Sequence, residues 1–136
     1  MIKVKKINKV EYSKDILNLR NKDFVRNNSL NKKKLCFDDH EAWFKKYVKI
    51  NKFYIILEYE KFVGYIRIEK KTRNVSWALK KKYHGKINFY KILKKVAKNN
   101  QYAIIKKNNI SSIIVALKAN FKIISLKNNY FKLKKY

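Results

Sequence analysis

The chain has 136 residues, enough for one domain with its own core, and at 46% hydrophobic and 15% aromatic it lacks the composition of a disordered chain. Its formal charge is +27, from 36 Lys and Arg against 9 Asp and Glu, a balance that ordinarily suits nucleic acid, an anionic membrane or another polyanion. A single cysteine, Cys36, excludes an internal disulfide, and apolar runs such as Ile113 to Leu117 are too short to span a bilayer.

In chain order, Met1 to Val10 alternates apolar and basic residues and predicts an opening strand. Ser13 or Asp15 is placed to cap a short helix through Arg20, and Asp23 to Leu35 predicts a short helix followed by a loop. Asp38 and Glu41 form a capping-box pattern ahead of a helix carrying Trp43, Phe44, Tyr47 and Ile50 at three- and four-residue spacing. Phe53 to Leu57 and Phe62 to Ile68 predict a hairpin, and Arg73 to Leu79 a third strand. A helix is expected from Phe89 to Lys98, a strand from Tyr102 to Ile105, and a helix from Ile110 to Leu117 capped by Asn109. Phe121 to Leu126 and Tyr130 to Leu133 complete the order β-α-α-β-β-β-α-β-α-β-β, a single α+β domain over residues 1–136.

Between the third strand and its helix lies Lys82-Tyr83-His84-Gly85-Lys86-Ile87-Asn88. A strand running through a basic, Gly-containing turn into a helix makes an anion site, because the first helical N–H groups converge there and the helix dipole adds positive potential. Gly85 is one of only two glycines in the chain.

The element order resembles the GNAT N-acetyltransferase superfamily over nearly the whole chain. Lys82 to Ile87 is similar to the acetyl-CoA signature of that family, which reads Arg or Gln, two residues, Gly, one residue, then Gly or Ala. Asn109-Ile110-Ser111-Ser112 with Lys118-Ala119-Asn120-Phe121 resembles its Asn-x-x-Ser/Ala segment ending in Lys-x-Gly-Phe, and Val63 to Arg67 its third strand. Leu19-Arg20-Asn21, Val25-Arg26, Ser29 and His40-Glu41-Ala42-Trp43-Phe44 resemble the branch that acetylates nucleotide-linked amino sugars, of the pseudaminic acid pathway type. The chain departs from the family at Ile87, Phe89 and Asn120, which replace glycines, and at Ala116, where many members carry a tyrosine acting as general acid.

The resemblance implies a mostly antiparallel sheet flanked by helices, with a splayed central strand pair that receives acetyl-CoA as cosubstrate. It assigns the pantetheine arm to the backbone of Trp77, Ala78 and Leu79, with Asn109 as a further contact or merely a helix cap. It assigns the pyrophosphate to Lys82, His84, Gly85, Lys86, Ile87 and Asn88. His40 is either a base or sugar ligand, or a histidine partly buried at its helix start. Tyr90 or a water is the candidate acid for the thiolate. Trp43 and Phe44 either stack on the acceptor or pack in the core. Arg20, Asn21 and Arg26 are the candidate acceptor contacts, arginine's planar fork suiting a diphosphate. Two histidines and one cysteine give no metal-site spacing.

The expected function is therefore acetyl transfer to the amine of a nucleotide-linked amino sugar in the cytoplasm. The alternatives are the same chemistry on another amine, such as a protein N-terminus, and a catalytically weak polyanion binder. Against the last, only Arg20, Arg26, Arg67 and Arg73 are arginine, the lysines are dispersed, and Lys, Asn, Ile, Tyr and Phe, the residues with A/T-rich codons, dominate. The charge reads mainly as genome composition, with any nucleic-acid binding nonspecific.

Overall fold

A computed structural model of the protein describes residues 1–7, 11–28, 42, 44–46 and 51–136. Strand β1 (Ile2–Ile7) leads to helices α1 (Ser13–Arg20) and α2 (Asp23–Arg26). Strands β2 (Lys52–Glu58), β3 (Lys61–Ile68) and β4 (Val75–Leu79) follow, then a 3-10 turn (Lys81–Tyr83) and helix α3 (Phe89–Val96). Strand β5 (Tyr102–Lys106), helix α4 (Ile110–Lys118) and the hairpin of β6 (Phe121–Lys127) and β7 (Tyr130–Lys135) complete it. Ala42 and residues 44–46 are helical. His40, Glu41 and Trp43, with Ser29, Asp38, Tyr47 and Ile50, lie outside the described residues.

The strands form an antiparallel sheet in the order β1-β2-β3-β4 and a second, antiparallel one in the order β5-β7-β6. Residues 55–57 of β2 and 62–66 of β3 are buried without alternation, as strands covered on both faces must be. On one face Phe53, Ile55, Phe62 and Tyr65 meet Ile16 and Leu19 of α1. On the other, Ile66, Ile68 and Val75 meet Phe89 and Leu93 of α3 and Ile113 and Ala116 of α4. Each fully buried Leu or Phe side chain contributes about 1.5–3 kcal/mol by leaving water.

The structure corrects several expectations. Phe44 is fully buried and packs on Phe53 at 4.8 Å, so it is core and offers no stacking surface to an acceptor. Neither Ser13 nor Asp15 caps α1; the helix begins at Ser13, and Tyr12 turns the chain into it at φ 63° with no side-chain cap. Strand β4 starts at Val75 because Arg73 is left-handed, at φ 62°. Helix α3 stops at Val96, with Ala97 already extended.

Gly64 has a steric role that sequence reasoning missed. A Cβ there would sit 2.3 Å from the Ala78 carbonyl oxygen and 2.7 Å from Leu79 Cδ2, so only glycine lets β3 approach β4 this closely. Scarcity was the available signal, since Gly64 and Gly85 are the chain's two glycines.

Candidate functional site

Among the described residues the two sheets join at one place. Asn74 and Tyr102 form a parallel bridge, and Tyr102 N–H donates to the Arg73 carbonyl at 3.0 Å. Beyond it β4 and β5 run side by side without pairing, β4 turning to β3 and β5 to β7. Alternation along a strand then fixes which peptide groups face the gap. Lys80 N–H bonds the Val63 carbonyl, so Ala78, two residues earlier, also faces β3, where it pairs with Tyr65. Trp77 and Leu79 face the gap. On β5, Lys107 N–H bonds Asn129 O and Gln101 O accepts from Lys135, so the odd positions face β7. The peptide groups of Ile104 and Lys106 face the gap. The side chain of Trp77 packs on Phe89 at 6.2 Å, so Trp77 offers the gap its backbone alone, whereas Ala78, with its side chain buried toward α1 and its peptide groups turned to Tyr65, offers the gap neither.

The gap opens toward the turn ahead of α3. Gly85 adopts φ 74°, and a Cβ there would meet nothing within 4 Å, so glycine serves conformation at this position and not packing. Asn88 precedes α3 without a side-chain cap. Lys86 N–H bonds Tyr83 O, Phe89 N–H bonds Ile87 O and Lys91 N–H bonds Asn88 O. Among the described residues, the amides of Gly85, Ile87, Asn88 and Tyr90 have no protein acceptor. Phe89 is buried in the core and the half-buried Ile87 packs against it. Asn120 holds φ 72°, a left-handed conformation that asparagine tolerates. At the far end of α3, Lys135 Nζ donates to the carbonyls of Lys94 and, at 2.5 Å, of Ala97. That cation complements the negative end of the helix dipole, while the positive end stays open. Burial, with Lys98 and Lys94 nearby, pushes the Lys135 ammonium below its ordinary pKa.

The predicted residues distribute unevenly around this mouth. Lys86 is exposed, and Lys82, also exposed, reaches over the Tyr83 ring at 5.2 Å. His84 Nε2 lies 3.0 Å from the Leu79 carbonyl and its ring meets Phe24 of α2 edge-on at 5.4 Å, so it closes the gap's rim. Asn109 caps α4, accepting the Ser112 N–H through Oδ1 at 3.4 Å. Tyr90 lies beneath the Lys118 ammonium, 5.5 Å from the ring centre. Ala116 is wholly buried, so the position offers no group to the gap.

Helix α2 spans the mouth. Its Phe24 touches His84 on the β4 side, and the carbonyl of Asn27, just past the helix, accepts from Lys106 Nζ at 3.2 Å on the β5 side. Arg26 pairs with Asp23 at 2.5 Å, and its buried Nε has no hydrogen-bond partner. Arg20 ends α1, followed by Asn21, whose N–H closes the helix on Leu17. Burial raises the pKa of the enclosed Tyr65 phenol, opposed by the charges of Arg67 and Arg20. A cavity of about 320 Å³ lies where β5 ends, lined by Lys106, Lys107, Asn108 and Asn129. Sequence reasoning missed it, because two more lysines carry no contrast in a chain with 36 basic residues. Among the described residues no cluster of metal-ligating side chains occurs, and no helix is long and apolar enough to cross a membrane.

No protein-family model matches the sequence, and no curated protein does. Solved structures match closely in three dimensions. Spermidine N-acetyltransferase from Vibrio cholerae, in complex with CoA and spermine, superposes with a TM-score of 0.78 at 12% identity, over 98% of this chain and 92% of that one. The Campylobacter jejuni N-acetyltransferase PseH, in complex with acetyl coenzyme A, gives 0.68 at 17% identity over 100% of both chains. A GNAT-family acetyltransferase from Streptococcus pneumoniae gives 0.72 at 10% identity over 99% and 98%. The expected α+β architecture, with its flanking helices and splayed central strands, is thus the observed one, and the chain has the fold of the GNAT N-acetyltransferases.

Proposed function

We propose that the protein is an N-acetyltransferase that takes acetyl-CoA as cosubstrate and an amine as acceptor, the acceptor being a nucleotide-linked amino sugar. One observation carries this reading: an unpaired strand gap that ends on an uncapped helix start. The peptide groups of Trp77, Leu79, Ile104 and Lys106 would hydrogen-bond the pantetheine arm. The amides of Gly85, Ile87, Asn88 and Tyr90 would hold the pyrophosphate, with Lys82 and Lys86 adding charge. His84 would line the arm's path at Leu79, and Asn109 would keep the β5 to α4 corner rigid.

Bound acetyl-CoA supplies an activated acetyl group. The amine nitrogen forms a bond to the thioester carbonyl carbon, the carbon–sulfur bond breaks, the amine loses a proton and the sulfur takes one up. A gap-facing N–H would stabilise the carbonyl oxygen as charge develops on it. A water is the candidate donor toward the sulfur, in preference to Tyr90, whose amide is assigned to the pyrophosphate end of the arm. His40 is the candidate base or sugar ligand and Trp43 a candidate stacking partner. Arg20 and Asn21, at the end of α1, and Arg26, on α2 over the mouth, are assigned to the acceptor's nucleotide diphosphate.

The resemblance of residues 19–26 and 40–44 to the sugar-nucleotide branch, and the superposition on PseH, support the acceptor assignment. The test is incubation with acetyl-CoA and a UDP-linked 4-amino sugar, with product detected by mass. Acetylated sugar nucleotide is the expected result. Stabilisation by acetyl-CoA with turnover on a different amine only would keep the chemistry and replace the acceptor.

A further inference from the structure

We infer that the cavity at the end of β5 is a phosphate subsite for the acceptor, so that the protein acetylates amines tethered to a phosphoryl group and rejects polyamines. This rests on the acetyltransferase reading and names residues for its acceptor side. The cavity is lined by Lys106, Lys107, Asn108 and Asn129, two cations and two amide side chains with no carboxylate among them. An amide lining supplies both donors and acceptors, whereas two ammonium groups select for negative charge. The volume of about 320 Å³ falls at the lower end of the range for small-ligand sites, roughly 300–1,000 Å³.

Its position ties it to the chemistry. Tyr102 stands opposite Asn74 at the joining bridge, so four residues further along both strands Lys106 is level with Ala78, beside the gap. The walls are fixed. Lys107 N–H bonds Asn129 O at 2.8 Å, locking the end of β5 to the β6–β7 turn. That turn holds Asn128 and Asn129 left-handed, at φ 52° and 67°. Lys106 Nζ also donates to the carbonyl of Asn27, the residue after Arg26, which ties this end of β5 to α2. The ion pairs described in the chain occupy Lys3, Lys5, Arg26 and Arg67, and Lys107 has no carboxylate partner among the described residues. A spermine-like tetracation would meet like charge at Lys106 and Lys107, and the described lining offers it no carboxylate. The Vibrio cholerae enzyme of the same fold was crystallised with spermine, so the fold accommodates a polycation and the selection lies in the lining.

The experiment measures binding of UDP by calorimetry to protein saturated with CoA, which occupies the α3 amides first. Wild-type protein should bind UDP, and Lys107→Glu should weaken that binding at least tenfold while leaving CoA affinity within about twofold. Lys107→Met should fall between. Lys107 is exposed, and a thermal melt checks that each variant is folded. Absence of UDP binding to the CoA-saturated wild type, or binding indifferent to Lys107→Glu, overturns the subsite. Acetylation of spermine in preference to a phosphoryl-tethered amine overturns it as well. If CoA itself does not bind, the acetyltransferase reading fails separately. UDP binding without CoA that is lost in Lys107→Glu and kept in Gly85→Asp would then still support the cavity.

Discussion

Helices α3 and α4 each begin after an asparagine with nearly the same backbone, φ −81°, ψ 70° at Asn88 and φ −84°, ψ 71° at Asn109. Only Asn109 turns its side chain inward to cap its helix. Both follow a strand bordering the gap, and both have the positive end of a helix dipole. The difference is that α4 satisfies its own start, while α3 leaves a set of amides open behind a left-handed glycine. A helix start that is not self-capped, at the mouth of an unpaired strand gap, is a place kept for an outside acceptor. One that caps itself is architecture.

The largest test of this contrast is at Gly85. Acetyl-CoA at a hundredfold over its Kd should stabilise the protein by about 2.7 kcal/mol in a thermal melt, as a ligand of the folded state alone. Gly85→Asp should abolish that shift by setting a carboxylate beside the phosphates. Gly85→Asn, which tolerates the same left-handed φ without charge, should keep most of it. Equal loss in both would mean that backbone conformation, and not charge, controls the site.

Across the gap, Arg26→Ala and Arg20→Ala should raise the acceptor KM roughly tenfold, about the 1.5 kcal/mol lower bound for a charge-assisted hydrogen bond. The KM for acetyl-CoA should stay within twofold. Lysine replacements should recover only part of the loss. Equal effects on both substrates would place these arginines outside the acceptor site.

The asparagines themselves give a smaller, sharper comparison. Asn109→Ala should cost about 1 kcal/mol of folding stability through the lost cap. Asn88→Ala should stay within about 0.5 kcal/mol, having no cap to lose. Denaturant melts read both, and an equal cost at the two positions would show that Asn88 also caps in solution.

At the opposite end of α3, Lys135 gives a pH effect. Its pKa is lowered in the folded state, so between that value and its ordinary 10.5 the unfolded chain holds more protons and stability rises with pH. Lys135→Met should flatten this alkaline rise relative to wild type and cost about 1–3 kcal/mol, because the Lys94 and Ala97 carbonyls lose their donor. A stability–pH curve parallel to that of wild type would mean that the ammonium is solvated.

Much of the fold was legible in the chain because its signals are local. Period-two alternation, three- and four-residue apolar spacing, and the asparagine before Ile110 place the strands and helices within a few residues. The Asn120 departure also has a local answer, since asparagine accepts the left-handed φ that glycine would. Phe44 was not legible in this way: the same spacing serves a stacking face or a core face, and only the proximity of Phe53 makes it core. The reach of His84 to Leu79 O was likewise invisible, because it depends on how the turn folds back on β4.

The sequence by itself determined the element order, the basic Gly85 turn ahead of α3 and the cap of α4, since each rests on neighbouring residues. The tertiary structure alone decided which peptide groups face the gap and which lysines matter. The first follows from long-range strand pairing, Lys80 with Val63 and Lys107 with Asn129, which no local pattern encodes. The second follows because, in a chain where basic residues are everywhere, charge distinguishes a site only once folding has gathered Lys106 and Lys107 against Asn129 and the end of α2.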